Sequence, residues 1–336
     1  MKTKGAKIQF FVIIMPQTKQ WIKMVFTIRS CKFDSDIANR VAHLFQNGEL
    51  NTVKTSEYFE WRYRRCFSDG TKLVLLEVEN ELVGMAAIFE QTFLSKKKVF
   101  KIAQLGDLIV HPDHRSIKAV RLIYRELSQQ LMNGRYDGIF TLPNTKSTKL
   151  NRYFLKLENK GILRGYFNIV VPKTSPKIIN TYIYSSDCHQ EKTRKILSEY
   201  IKPSAQNAMN WTVNQVIDRI SDPRFEYGLV ATKNALIISS KRMISGVPYA
   251  LIMSSAMAAD QQDHHPDFRK LVSATAALHK TCFVISFPPI NNGNTFGGIK
   301  IPDFIHGSSH HVQTKTIDKR IGNIANCIGP LDLDIF

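Results

Sequence analysis

Residues Gln104–Asn133 read Q-L-G-D-L-I-V-H-P-D-H-R-S-I-K-A-V-R-L-I-Y-R-E-L-S-Q-Q-L-M-N, and their pattern decides the fold. Leu105–Val110 is a short apolar run broken at Gly106 and Asp107, the pattern of a buried strand with one irregular point. His111–Lys118 makes a loop. Ala119, Leu122, Ile123, Leu127 and Leu131 then return at helical spacing, with Arg121, Arg125, Gln129 and Gln130 on the polar face. A turn that opens a helix carries unpaired N–H groups and the positive end of the helix dipole, so phosphate is its natural ligand. His111, His114, Arg115 and Lys118 add cationic groups around that turn, enough to suit a pyrophosphate. An ordinary strand-to-helix connection with a solvated basic tip has the same pattern, and local physics leaves both readings open.

Composition bounds the partners. The chain has 336 residues, enough for about two domains, and 43% hydrophobic with 22% charged residues is a globular balance. Its formal charge of +18 favours a polyanionic partner: nucleic acid, an anionic membrane surface or a phosphorylated cofactor. Five scattered cysteines with no C-x-x-C pair argue against a disulfide framework and a cysteine zinc site, and for a reducing, cytoplasmic setting.

Residues 1–23 hold five lysines and no acid around the apolar run Ile8–Met15, which is too short to span a bilayer. They are expected to be a weakly ordered extension, with Met24 opening the folded part. Val25, Thr27 and Ile28 then suggest a strand, and Asp34, Ser35 and Asp36 cap a helix carrying Ile37, Val41, Leu44 and Phe45. A second helical piece spans Tyr58–Cys66. Leu73–Val78 and Leu82–Phe89 form a hairpin about Asn80, and Lys96–Lys98 turns the chain into the strand ending at Val110. After the long helix, Gly138–Leu142 gives a strand and Ser147–Lys156 a helix.

In this order, D-L-I-V-H-P-D-H-R-S-I-K-A-V resembles the acyl-CoA-binding segment of the GNAT acyltransferase superfamily, where a strand ending V-x-P leads into [QR]-x-x-G-x-[GA] and a long helix. Arg115 falls on the Gln/Arg position and Pro112 on the proline, while Lys118 and Val120 replace the small residues. A side chain at such a position hinders close approach of backbone to pyrophosphate, although Lys118 can also bring charge to it. Trp61-Arg62-Tyr63-Arg64 is similar to segments found ahead of the second strand in such proteins.

The resemblance implies an α+β fold: a mostly antiparallel, twisted central sheet with helices on both faces. It also implies an acyl-CoA co-substrate, with acetyl or a longer acyl group, held by Leu108, Ile109, Val110, Arg115, Ser116, Ile117, Lys118, Ala119 and Val120, with Asn144 at the pantetheine arm. Asn144 reads equally as a turn or capping residue. The family's general-acid tyrosine falls on Phe154, one residue beyond Tyr153, and so carries over to Tyr153 only with a rotation about the helix. As proton acceptor, Asp107 is nearest and Glu90, on the preceding strand, is second; Asp107 also reads as a residue that stabilises a bulge.

The second half follows a junction rich in turn formers, Val171–Pro176, although Ile179–Tyr184 can still add a strand to the first sheet. Helices at His189–Ile201 and Trp211–Ile220, a hairpin about Lys233-Asn234, a strand at Tyr249–Ser255, a helix at Asp267–Lys280 and a strand at Thr281–Phe287 repeat the layout of the first half. Asp260, Asp263 and Asp267 make the start of that helix acidic and would repel pyrophosphate. The run Gly293–Gly298 lacks the G-K-[ST] of a phosphate loop and reads as a connection. His264-His265 and His310-His311 have no chelating spacing and read as surface histidines. The expected domains are therefore 24–185, binding acyl-CoA, and 186–336, a degenerate copy that shapes the acceptor site.

Two functions follow from the resemblance. One is an acyl-CoA-dependent N-acyltransferase acting on a small-molecule or peptide amine by direct attack in a ternary complex, with no metal. The other is a non-catalytic module on the same scaffold that binds a polyanionic partner.

Overall fold

A computed structural model describes the chain except residues 1–8, 18–19, 48–53, 176, 184–190, 202–207, 258–267, 291–294, 303–309 and 331–336. Strands β1 (Gln9–Gln17) and β2 (Gln20–Lys32) form a hairpin, followed by helices α1 (Ser35–Asn47) and α2 (Ser56–Glu60). The chain continues from α2 into a π-helical turn, Trp61–Cys66. Then come β3 (Thr71–Val78), β4 (Glu81–Ser95), β5 (Lys98–Val110), α3 (Ile117–Gly134), β6 (Gly138–Thr141), α4 (Thr145–Leu155) and β7 (Glu158–Leu163). The second half comprises β8 (Tyr166–Ile169), β9 (Ile179–Ile183), α5 (Glu191–Tyr200), β10 (Ala208–Met209), α6 (Val213–Arg219), β11 (Tyr227–Ala231), β12 (Ala235–Ile244), β13 (Val247–Met257), α7 (Phe268–Leu278), β14 (Phe283–Ser286), β15 (Ile299–Lys300) and β16 (His310–Thr316).

These strands make two mixed, mostly antiparallel sheets, so the α+β class holds. The first runs β1-β2-β3-β4-β5-β6-β16-β7, with β10 on β4; the second runs β15-β8-β14-β13-β12-β11-β9. Alternation along β3 and β4 explains why both faces of the first sheet are covered. Val74, Leu76, Ala86 and Ile88 point at Ala119, Leu122, Ile123 and Leu127 of α3. Leu73, Leu75, Met85, Ala87 and Phe89 point the other way, at α1, α2 and the π-helical turn. Lys96 and Lys97, both at positive φ, form the expected tip between β4 and β5.

Three details differ from the sequence reading. The apolar run near the N-terminus pairs as β1 with β2, from Gln9 opposite Ile28 to Gln17 opposite Gln20, because the strand carrying Val25 and Ile28 starts earlier and offers it an edge. Residues 179–183 do not extend the first sheet; they pair with β11, where Leu229 and Val230 give an apolar partner. The sheets also exchange strands across residue 185. β8 and β9 lie in the second sheet, while β16 returns to the first between β6 and β7. One core cluster therefore spans both sheets, and in it Phe93, Phe100, Ile102 and Phe140 pack with Val216, Ile217, Leu229 and Leu236.

Candidate active site

Parallel pairing of β5 with β6 runs from Ile102 opposite Gly138 to Leu105 opposite Thr141, and there it stops. Beyond that point the strands part. On the other side of β5, Gly106 faces Ala87 and Ile109 faces Met85, so Asp107 and Leu108 together oppose Ala86. This is a β-bulge, and Asp107 adopts φ of 52°. Gly106 is required beside it, because a Cβ there would stand 2.9 Å from Cε2 of Phe89. The parting of the strands opens a cleft of about 180 Å³ lined by Ala86, Leu105, Gly106, Leu108, Asn144 and Asn151, among others.

Asp107 also lines the cleft, and its carboxylate is held by two donors. Arg62 Nε donates to its Oδ2 at 2.8 Å and the Tyr63 hydroxyl donates to the same oxygen at 3.0 Å. The side chains of Arg62 and Asp107 are only 6% and 9% exposed. Burial alone raises the carboxyl's pKa, but Arg62, Lys54 and the Tyr63 hydroxyl outweigh it and hold Asp107 below the usual carboxylate range. The π-helical turn makes this geometry, since it brings consecutive Arg62 and Tyr63 onto one carboxylate.

Glu90 is also engaged, outside the cleft lining. Lys72 Nζ and Lys101 Nζ lie 2.9 and 3.1 Å from its oxygens, and the Tyr136 hydroxyl donates to it at 2.6 Å. Against the upward pull of burial, these three donors lower its pKa to about 2. Tyr153 is 68% exposed and its ring meets Phe154 and the Lys156 ammonium, not the cleft. The helix turns it outward; Phe154, next along, stacks on Tyr124 instead.

The turn after β5 is capped, a feature the sequence reading did not assign. Pro112–His114 make one 3-10 turn, and Ser116 Oγ accepts from the Ala119 N–H at 3.1 Å as N-cap of α3. Ile117 and Lys118 stand in the first turn of α3, where backbone N–H groups point out of the N-terminal end of a helix. Arg115 Nε donates back to the Val110 carbonyl at 3.1 Å. Leu108 and Asn144 line the cleft; Ile109 and Val110 are buried beside it, and Arg115, Ser116, Ile117, Lys118, Ala119 and Val120 lie outside its lining. Asn144 also caps α4, its Oδ1 accepting from the Ser147 N–H at 2.8 Å, so the capping role read from its sequence context is realised.

Strand separation at a bulge, followed by a capped basic turn and a long helix, matches a known sequence signature. The model of the Acetyltransferase (GNAT) family matches residues 38–154. That segment of the chain is similar to the GNAT superfamily. Solved structures agree on the fold over most of the chain. A probable N-acyltransferase from Enterococcus faecalis V583 aligns at TM-score 0.59 and 11% identity, covering 88% of this chain and 74% of that one. N-myristoyltransferase of Saccharomyces cerevisiae aligns at TM-score 0.55 and 10% identity, covering 92% and 84%. A tandem GNAT protein from the clavulanic acid pathway aligns at 0.53 and 9%, covering 86% and 98%. At such identities these likenesses establish fold alone. No curated protein sequence matches the chain.

Several site residues escape sequence reasoning. Arg62 sits in a segment noted for its resemblance, yet its ionic role has no local signal. Asn151, Thr141 and Ser147 line the cleft without belonging to any quoted motif. Among the described residues no group of His, Cys, Asp and Glu could hold a metal, and no helix is long and apolar enough to cross a membrane. Asp260, Asp263, Asp267 and His264-His265 lie outside the described residues. His310 and His311 are half-buried on β16, where His310 meets the Phe287 ring.

Proposed function

We propose that this GNAT-like chain transfers an acyl group from CoA to an amine. The observation that carries the reading is the parting of β5 and β6 at the Asp107–Leu108 bulge, directly before the turn that caps α3. In this reading the phosphates lie on the turn surface at Arg115–Val120, outside the cleft, and the pantetheine arm enters between the strands past Leu108 and Asn144. The amine nitrogen attacks the thioester carbon, the C–N bond forms, the C–S bond breaks, and the amine's proton leaves as the thiolate is protonated.

Asp107 serves in this reading as a positioning residue. A carboxylate with a depressed pKa and two strong donors is a poor proton acceptor, and its ion pair holds the bulge. Tyr153 plays no part in the proton transfer. An amine that arrives as free base, or a water relay, meets the need without a side-chain carboxylate.

Isothermal titration with acetyl-CoA and longer acyl-CoAs, followed by thiol release with a panel of amines, tests the proposal. Saturable binding with amine-dependent thiol release is expected. Absence of binding to every acyl-CoA would remove the donor, and binding without release under any amine favours the non-catalytic module.

A further inference from the structure

One side chain from β16 lies behind the wall of the cleft, bonded to the lining residue Asn151. Gln313 is wholly buried, and its Nε2 donates to the Thr148 carbonyl at 3.1 Å and to Asn159 Oδ1 at 2.9 Å. Its Oε1 accepts from Asn151 Nδ2 at 3.0 Å. A backbone carbonyl can only accept, so the Thr148 contact fixes which end of the Gln313 amide is nitrogen. That choice propagates. Asn151 must present nitrogen to Gln313 and oxygen to Tyr124, whose hydroxyl donates to Asn151 Oδ1 at 2.6 Å. The polarity of the whole buried chain is therefore set from one end.

An amide nitrogen carries two protons, and the Gln313 contact uses one. Asn151 is 6% exposed and lines the cleft, and its second Nδ2 proton has no acceptor among the described residues. A buried donor left without an acceptor costs free energy that a ligand oxygen would recover.

We propose that Asn151 donates this hydrogen bond to a carbonyl oxygen at the thioester end of acyl-CoA, and that Gln313 is the positioning residue that holds Asn151 in the donating orientation. The inference rests on the acyl-CoA reading and adds to it a contribution from the last described strand. Reversal of the Asn151 amide would present oxygen to that carbonyl and set two oxygens against each other at Gln313, so the site is specified for an acceptor and against a donor.

Two measurements on the full chain with acetyl-CoA test it. In isothermal titration, Asn151→Ala and Gln313→Leu should each weaken binding by about 3- to 10-fold, the worth of one neutral hydrogen bond. In ¹⁵N-labelled wild-type protein, the side-chain amide pair that vanishes in Asn151→Ala should shift when acetyl-CoA is added. This readout remains should Gln313→Leu fail to fold. Wild-type protein that binds no acetyl-CoA would overturn the acyl-CoA reading itself. Wild-type binding with unchanged Asn151→Ala affinity, or with an unmoved amide pair, would overturn this inference alone.

Discussion

The two sheets run the same course and differ where chemistry would occur. β2-β3-β4-β5-β6-β16-β7 in the first corresponds in order to β9-β11-β12-β13-β14-β8-β15 in the second, and β5–β6 and β13–β14 are the parallel pairs. Each has a bulge in the strand before its long helix, at Asp107–Leu108 and at Met253, where the register slips between Ile238 and Ser239. The first is braced by a buried ion pair and opens on a cleft. Near the second, Ser239 Oγ lies 2.8 Å from His279 Nε2, both fully buried, and Gly228 backs onto Leu278 and His279. The helix approaches also differ in charge: His111, His114, Arg115 and Lys118 in one, Asp260, Asp263 and Asp267 in the other. A repeated backbone thus carries one proposed acyl-donor site, and the difference lies in a few side chains.

The strongest test of that contrast removes the brace. Arg62→Ala leaves a buried carboxylate uncompensated and should cost about 3–5 kcal/mol, measured by urea unfolding; a loss below about 1 kcal/mol would show that the pair does not hold the first bulge.

Acid should separate the halves. Burial depresses His279 to about 4, so the unfolded chain, with its histidine near 6.5, binds the proton first; stability is full above that and falls by up to about 3 kcal/mol as pH drops from 6.5 to 4. Glu90, held near 2, loses its contribution only as pH falls from 4.5 toward 2. Unfolding curves across these ranges for wild type, His279→Gln and Glu90→Gln check the assignment, which fails should His279→Gln keep the upper slope.

Gly106→Ala should destabilise by about 1–3 kcal/mol through the Phe89 contact and reduce acetyl-CoA affinity. An unchanged melting temperature and affinity would mean that the bulge tolerates a side chain. Arg115→Glu should weaken acetyl-CoA binding by about 10-fold, while Arg269→Glu, the matching change at the start of α7, leaves it unaltered; equal effects would make the two helix starts equivalent. Smallest of all, Tyr153→Phe should leave turnover unchanged, and a drop of 10-fold or more would return that hydroxyl to the reaction.

Much of this was legible in sequence, and for physical reasons. Helical spacing of Ala119, Leu122, Ile123 and Leu127, and the broken apolar run at Gly106-Asp107, are local patterns, and each corresponds to an observed element. Asn144 likewise reveals its cap through its immediate neighbours, whereas Ser116, read only as a cofactor contact, proves to cap α3. What stayed hidden depends on distant partners. Nothing near Asp107 tells that Arg62 and Tyr63 will claim it, nothing near Glu90 names Lys72 and Tyr136, and Gln313 gains meaning only when β16 lies beside β6. The destination of residues 179–183 was ambiguous for the same reason, since an apolar strand does not encode which edge it will join.

The crossing of β16 has a consequence for synthesis. Gly138–Thr141 leaves the ribosome long before its neighbours Gln313–Thr316 exist, so an edge that ends up central must wait, exposed, through most of translation. Shielding of that edge in the nascent chain, by early docking of β7 or by a chaperone, becomes part of what this topology demands of the cell.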